Sequence, residues 1–290
     1  MARVRATGRN NVKGIFFATV CLALAVAFAG ETLPKPIVCE GSWRAHCQGV
    51  TTDGTNIYWS FSVAVVKTDK SGKVLAKNEI PKGHMGDLCF HDGKVYIGMN
   101  MKTAPDKTRV GDEVWVYDAA TMERVKVYPT PQTIWCNNGI EWYGGSFWIV
   151  GNVSMDSVYN YVWEYTPDFR FKCCHPIASG WTNLGVQTIC ATDSEMMFGC
   201  YGGKNGKGES VPGTVFAVEL AKLVEPFRSN EYPSILPVKS RVTANAGEGI
   251  MWLDGRLWYG KGVRLKSDSG ETLYTEKLIP QPVVNEEGKR

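Results

Sequence analysis

Five times along the chain, a short apolar strand runs into a turn and then into an aromatic strand. The first strands read "QGVTTDG", "GDLCFHDG", "NGIEWYGG", "VQTICATDS" and "EGIMWLDG". The second read "NIYWSF", "KVYIGM", "SFWIVG", "EMMFGC" and "RLWYGK", and the third "AVVKTD", "EVWVYD", "YVWEYT", "TVFAVE" and "TLYTEK". Fourth strands follow in three copies, "KVLAKNE", "ERVKVYP" and "FRFKCCH". The turns centre on Asp53, Asp92, Gly144, Asp193 and Asp254, spaced 39, 52, 49 and 61 residues apart. Asp-Gly between β-rich apolar runs is a hairpin signal. Four short strands per repeat of about 40–50 residues mark a propeller blade. A β-sandwich does not account for fivefold recurrence. The expected fold is all-β, a five-bladed β-propeller of four-stranded antiparallel blades that start near residues 46, 84, 136, 184 and 246.

The fifth repeat lacks a fourth strand of its own. "LIPQPVVNEE" carries two prolines and suits an edge or a tail. "TLPKPIVCEG" stands just ahead of repeat one, so residues 32–39 are expected to complete the fifth blade and close the ring. Closure removes an exposed sheet edge.

Ahead of the repeats lies an address. Arg3, Arg5, Arg9 and Lys13 precede the apolar run "GIFFATVCLALAVAFA", and Ala27-Phe28-Ala29 forms an A-x-A cleavage signal. This is the pattern of a secretory signal peptide over residues 1–29, with residues 30–290 as one propeller domain. The run is short for a bilayer span of about 20 residues. Secretion or periplasmic residence is expected, without stable membrane insertion after cleavage. The chain has 32 basic and 29 acidic residues, and four of the basic ones lie in the signal. What remains is nearly neutral, so no nucleic-acid partner is implied. Eight cysteines follow the signal, which permits disulfides. Cys190 and Cys200 flank one hairpin and are the first pair expected to bond.

The second-to-third loops are long in four repeats: "NMKTAPDKTRVGD", "GNVSMDSVYN", "YGGKNGKGESVPG" and "GKGVRLKSDSG". They share a face with the starts of the inner strands, and long loops on a rigid scaffold collect binding residues. Just before the first apolar residue of each inner strand the chain is polar. Repeat one has His46 and Gln48, and repeat two His84 and Asp87. Repeat three has Asn137 and Asn138 with Glu141 just after. Repeat four has Asn183 and Gln187, and repeat five Glu248. Together they predict a polar ring at the mouth of the central channel. Such a ring serves water, a metal or a ligand, or only the hydrogen bonding of neighbouring blades, because buried polar groups need partners.

Asp87, Glu141 and Glu248 are the candidate acid/base carboxylates, since carboxyls in unlike environments divide those roles. His46, Gln48, His84, Asn138 and Gln187 are the candidate substrate-orienting groups. Asp87, Asn138 and Glu248 would suit a hard cation such as calcium, and His46 with His84 a transition metal. Cys47 and His46 are adjacent on a strand and point to opposite faces, which argues against a nucleophile–base dyad. Trp43, Trp135 and Trp181 fall in connections leading to inner strands and are expected to rim the ring. An aromatic face over polar groups suits a sugar or another small polar ligand.

The opening pattern "QG…DG…IY…V.KTD..GKVL" resembles the first blade of the glutamine cyclotransferase-like propellers, and "NNGIEW" with "VWEYTPD" resembles their asparagine/glutamate-bearing blade. The resemblance implies a five-bladed propeller and glutaminyl cyclisation, with Gln48, Asn138 and Glu141 in the family's site positions. In place of the family's Phe-Thr before Gln/Glu-Gly, this chain has His46 and Cys47. The "QG", "NG" and "EG" starts also resemble calcium-binding lactonase propellers of the gluconolactonase type. Three functions stand open: a hydrolase or lyase acting on a carbohydrate or other small polar substrate, a glutaminyl-peptide cyclotransferase, and a non-catalytic glycan- or protein-binding propeller.

Overall fold

Strand-forming runs separated by tight turns give five four-stranded antiparallel sheets in the computed structural model, which describes residues 32–100, 112–154, 157–224 and 235–282. The chain enters with β1 (Ile37–Val38). Blade one follows as β2 (Cys47–Thr52), β3 (Asn56–Phe61), β4 (Ala64–Asp69) and β5 (Val74–Glu79). Blade two is β6 (Met85–His91), β7 (Lys94–Met99), β8 (Glu113–Asp118) and β9 (Arg124–Pro129). Blade three is β10 (Gly139–Tyr143), β11 (Ser146–Val150), β12 (Asn160–Tyr165) and β13 (Phe171–Ile177). Blade four contains β14 (Asn183–Ala191) and β15 (Glu195–Tyr201), then a small hairpin of β16 (Gly203–Lys204) and β17 (Ser210–Val211), then β18 (Thr214–Glu219), the one-turn helix α1 (Leu220–Leu223) and β19 (Ser240–Thr243). Blade five is β20 (Ile250–Leu253), β21 (Arg256–Lys266) and β22 (Thr272–Pro280).

The fourth strand of blade five is β1. Ile37 pairs with Leu278 and Val38 with Lys277, and the Cys39 N–H donates to the Glu276 carbonyl at 2.9 Å. The ring therefore closes with the N-terminal strand, as its sequence position implied. Inner strands β2, β6, β10, β14 and β20 adjoin one another around the centre.

Local chemistry explains the hairpins. Asp92-Gly93, Gly144-Gly145 and Asp254-Gly255 each hold two successive residues at positive φ, the backbone that two-residue hairpins require and that Asp and Gly tolerate. Blade four has no glycine there; Thr192 Oγ1 instead accepts from the Glu195 N–H at 3.0 Å. Trp59, Trp148 and Trp163 fill the space between blades, each 3 % exposed or less.

Three expectations need correction. Blade five has no long open loop at "GKGVRLKSDSG", because β21 runs to Lys266 and pairs residue for residue with β22. The segment "LIP" is strand, ending at Pro280 opposite Trp258, where the strand finishes and proline's missing N–H costs nothing. Cys190 and Cys200 are not bonded, and all eight described cysteines are free thiols. The register sets Cys190 opposite Met197, three residues from Cys200. Three strand residues are about 10 Å, too far for a disulfide. Among the described residues no helix is long and apolar enough to cross a membrane. The signal peptide expected over residues 1–29, and residues 101–111 of the long loop of blade two, lie outside the described residues.

Candidate functional site

Three inner strands carry an irregularity at the same level. Register shifts fall between Cys47 and Gly49 in β2, between Met85 and Leu88 in β6, and between Asn183 and Thr188 in β14. A bulge leaves residues unpaired and re-aims their side chains. The residues freed include Gln48, Asp87 and Gln187, three of the polar groups read from the sequence.

Asp87 has no exposed surface. Its Oδ1 accepts from the Val50 N–H at 3.2 Å and its Oδ2 from the Ile189 N–H at 2.8 Å. Its own N–H donates to the Asn138 carbonyl at 2.6 Å. One side chain thus ties blades one, two and four, with its backbone on blade three. Gly49 leaves the room, since a Cβ there would lie 2.0 Å from Asp87 Oδ1. Burial pushes the Asp87 pKa up, the Ile189, Leu88 and Val50 N–H groups pull it down, and Glu141 adds repulsion. Asp87 is a keystone of the channel rather than an acid open to substrate.

Glu141 sits further along its strand, toward the tight-turn end. Its oxygens accept from the Trp142 N–H at 2.8 Å and the Ala191 N–H at 3.0 Å. Burial of the carboxyl raises its pKa to about 7 against the pull of those two donors. Glu141 and Glu248 therefore belong to different ends of the channel, because Glu248 stands ahead of β20 on the long-loop face.

On the long-loop face the polar groups split into two seams. Between blades three and four, Asn138 Nδ2 donates to Asn152 Oδ1 at 2.6 Å and to the Val186 carbonyl at 3.0 Å. Gln187 Nε2 donates to the same Asn152 oxygen at 3.2 Å and to the Leu184 carbonyl at 2.9 Å. Asn160 Nδ2 donates to Ser179 Oγ and Thr182 Oγ1, and its oxygen accepts from the Val186 N–H. Asn138 and Gln187 are each under a tenth exposed, and their donors are spent on the fold.

Between blades five and one the arrangement differs. His46 Nδ1 lies 3.6 Å from Glu248 Oε1 and 3.1 Å from the Cys47 carbonyl. Gln48 Nε2 lies 3.0 Å from His46 Nε2 and donates to Ser62 Oγ at 3.2 Å. A carbonyl can only accept, so the contact to the Cys47 carbonyl is made by an Nδ1–H, while the Gln48 amide nitrogen, also 3.4 Å from Nδ1, lies over the ring rather than on the Nε2 lone pair. The second Glu248 oxygen accepts from the Gly262 N–H at 2.9 Å. The His46 and Glu248 side chains are 40 % and 25 % exposed, so this couple can meet a ligand. Behind it lie two groups the sequence did not single out. Glu276 and the Tyr201 hydroxyl are buried, and among the described residues no hydrogen-bond partner reaches the Glu276 oxygens or the Tyr201 oxygen.

The remaining candidates scatter. His84 is exposed at the start of β6, and its carbonyl accepts from the Asn100 N–H. Trp43 does not rim the mouth; it is 6 % exposed and stacks on Phe61 at 5.2 Å, because its backbone is bridged to Tyr274 and turns the ring inward. Trp181 is half-buried. Trp135 is 53 % exposed. It borders a cavity of about 320 Å³ with Ile134, Val153, Tyr161, Trp163 and Cys174 on the flank of blade three. Cys47 is fully buried, and burial pushes its thiol pKa far up, so it is inert packing. Among the described residues no three His, Cys, Asp or Glu side chains converge as metal ligands. The calcium set Asp87, Asn138 and Glu248 is not brought together: Asp87 and Asn138 are committed elsewhere.

No family model matches the sequence, and no curated protein sequence matches it. Solved structures do. Glutaminyl cyclase of Myxococcus xanthus superposes with a TM-score of 0.52 at 10 % identity, covering 87 % of this chain and 97 % of that one. A protein of unknown function from Bacteroides caccae gives 0.41 at 15 % identity, covering 76 % and 71 %. BamB from Moraxella catarrhalis gives 0.35 at 11 % identity, covering 81 % and 86 %. The chain is a five-bladed β-propeller. It shares the fold of the Myxococcus cyclase, in keeping with the resemblance in its first and third blades.

Proposed function

We propose that the chain is an exported propeller enzyme, one domain behind a cleaved signal peptide. It performs acid/base chemistry on a carbohydrate or similar small polar substrate at the long-loop mouth of its channel. The supporting observation is the His46–Glu248 couple across the seam between blades five and one. His46 Nε2 presents a lone pair, and the Gln48 amide packs over the ring. A water or substrate hydroxyl in line with that lone pair can give its proton to Nε2, and Glu248 stabilises the imidazolium that forms. A positioned base of this kind contributes about 10²–10⁴-fold. On the flank of blade three, Trp135 and its cavity offer an apolar face on which an extended oligosaccharide can rest a further sugar ring.

The test is turnover. Purified protein is offered neutral and uronic-acid oligosaccharides, with products followed by mass spectrometry. His46→Ala should lower kcat at least a hundredfold. Equal turnover by the variant would sink the assignment.

A second reading has its own support. The fold is shared with glutaminyl cyclase, and Gln48 stands at the "QG" start of the first blade. In that reaction the α-amine of an N-terminal glutamine attacks its own side-chain amide, and ammonia leaves. His46 would take the amine proton. A peptide with N-terminal glutamine belongs in the same panel, and ammonia release from it alone would favour this reading.

A further inference from the structure

Glu276 lies within β22, with none of its surface exposed and both carboxyl oxygens unpartnered. Room for it comes from the neighbouring strand. A Cβ on Gly260 would stand 2.7 Å from Glu276 Oε1, and one on Gly262 would stand 2.3 Å from Glu248 Oε2. Residues two apart on a strand share a face. The glycine pair of β21 therefore seats two carboxyls side by side, one open to the mouth and one sealed behind it.

A sealed carboxylate whose nearest backbone donor, the Lys261 N–H, stops short of a hydrogen bond is costly, and a second carboxylate beside it makes ionisation of both costlier still. Burial, with repulsion from Glu248, raises the Glu276 pKa to about 9 against the pull of the Lys261 backbone. The titratable groups around it offer no relief. Glu248 faces it from the connection before β20, Cys39 from the segment after β1, Cys47 from β2 and Tyr201 from β15. All four are acids. His46 is reached only through Glu248.

We propose that Glu276 holds a proton at neutral pH and is the proton reserve of Glu248, a positioning residue behind the His46–Glu248 couple. The pair then carries one proton and one charge, and the charge stays on Glu248, where it faces His46. The proton balance closes over one turnover. His46 takes a proton from the nucleophile, and the pair gives its proton, through Glu248, to the leaving group. The imidazolium then returns one proton to the pair. This scheme rests on the proposed function, but the protonation of Glu276 does not.

Glu276→Gln tests both parts, because the amide keeps the shape and neutrality but cannot exchange a proton. The wild-type protein should show an infrared carbonyl band of a protonated carboxyl at pH 7 that Glu276→Gln lacks. Its melting temperature should fall as pH rises from about 5 to 9, and that slope should flatten in the variant. On whichever substrate is turned over, kcat should drop at least tenfold with KM held, and Glu276→Asp should restore part of it. A difference band missing at pH 7, with identical melting slopes, overturns the proposal. An intact band with unchanged kcat overturns the reserve role. If the band and slope behave as expected while no substrate reacts, the proposed enzyme function fails and the protonated Glu276 stands.

Discussion

Two seams of the same ring have opposite chemistry. Between blades three and four, the amide nitrogens of Asn138, Asn160 and Gln187 and the side-chain oxygens of Asn152 and Asn160 find partners within the fold. Between blades five and one, Glu276 and Trp43 Nε1 are buried without partners, and the Tyr201 hydroxyl is orphaned close by. A satisfied network rigidifies a structure, whereas an orphaned polar group lowers stability. Departures from the packing rules concentrate where a protein works. The first seam holds the ring in shape, and the second is the place to look for its activity.

The comparison can be broken outright at the closing strand. Deleting residues 32–39 removes β1 and uncovers the β22 edge. The expected result is loss of cooperative melting for the whole domain by calorimetry. A truncated protein that melts like the intact one would mean that the second seam needs no closure.

A smaller effect comes from the satisfied seam. Asn160→Ala strands the Val186 N–H and strips the Ser179 and Thr182 hydroxyls of a donor. At about 1–3 kcal/mol for each group left unpaired, the variant should lose about 3 kcal/mol in urea denaturation, and the loss should not depend on pH. The orphaned seam predicts the reverse sign. Glu276→Gln should gain up to about 3 kcal/mol at pH 7, since a folded pKa of about 9 lies well above the unfolded value of about 4. The sign follows from linkage. A pKa raised in the folded state favours folding below the unfolded pKa, and that favour is lost as pH climbs through the folded value.

The smallest effect is at the rim. Trp135→Ala should leave stability unchanged, because half the ring is already in water. It should weaken oligosaccharide binding by several-fold, worth about 1 kcal/mol. Isothermal titration would show it, and unaltered affinity would remove the blade-three cavity from the substrate path.

Much of this fold was legible because repeats speak through period and turn chemistry. Asp92-Gly93 and Asp254-Gly255 announce their hairpins, and the absent fifth fourth strand points to the N-terminus. The site was half legible. Sequence placed His46, Gln48, Asn138, Gln187 and Glu248 at one level, but it could not say which of them the fold would consume. That depends on three bulges and on contacts between blades, neither of which leaves a local signal. Asp87 read as a free acid and is a keystone. Trp43 read as a rim and is core. Glu276 was missed because "TLYTEKLIP" shows no clean alternation, although Tyr274 and Leu278, two residues to either side, mark its face as apolar. The available hint was "YGKG" in the strand before it, where two small residues leave space for something large opposite.

The closing strand carries one more consequence. Ile37 finds its partner in Leu278, at the far end of the described chain. A chain is synthesised from its N-terminus, so the first strand of the propeller to appear is the last to be matched. Until β22 arrives, four blades stand as an open arc with a bare edge at each end. Contacts so distant in sequence fold slowly, and bare strand edges attract other chains. For this protein the hazard is therefore one of timing, greatest in the interval before its two ends meet.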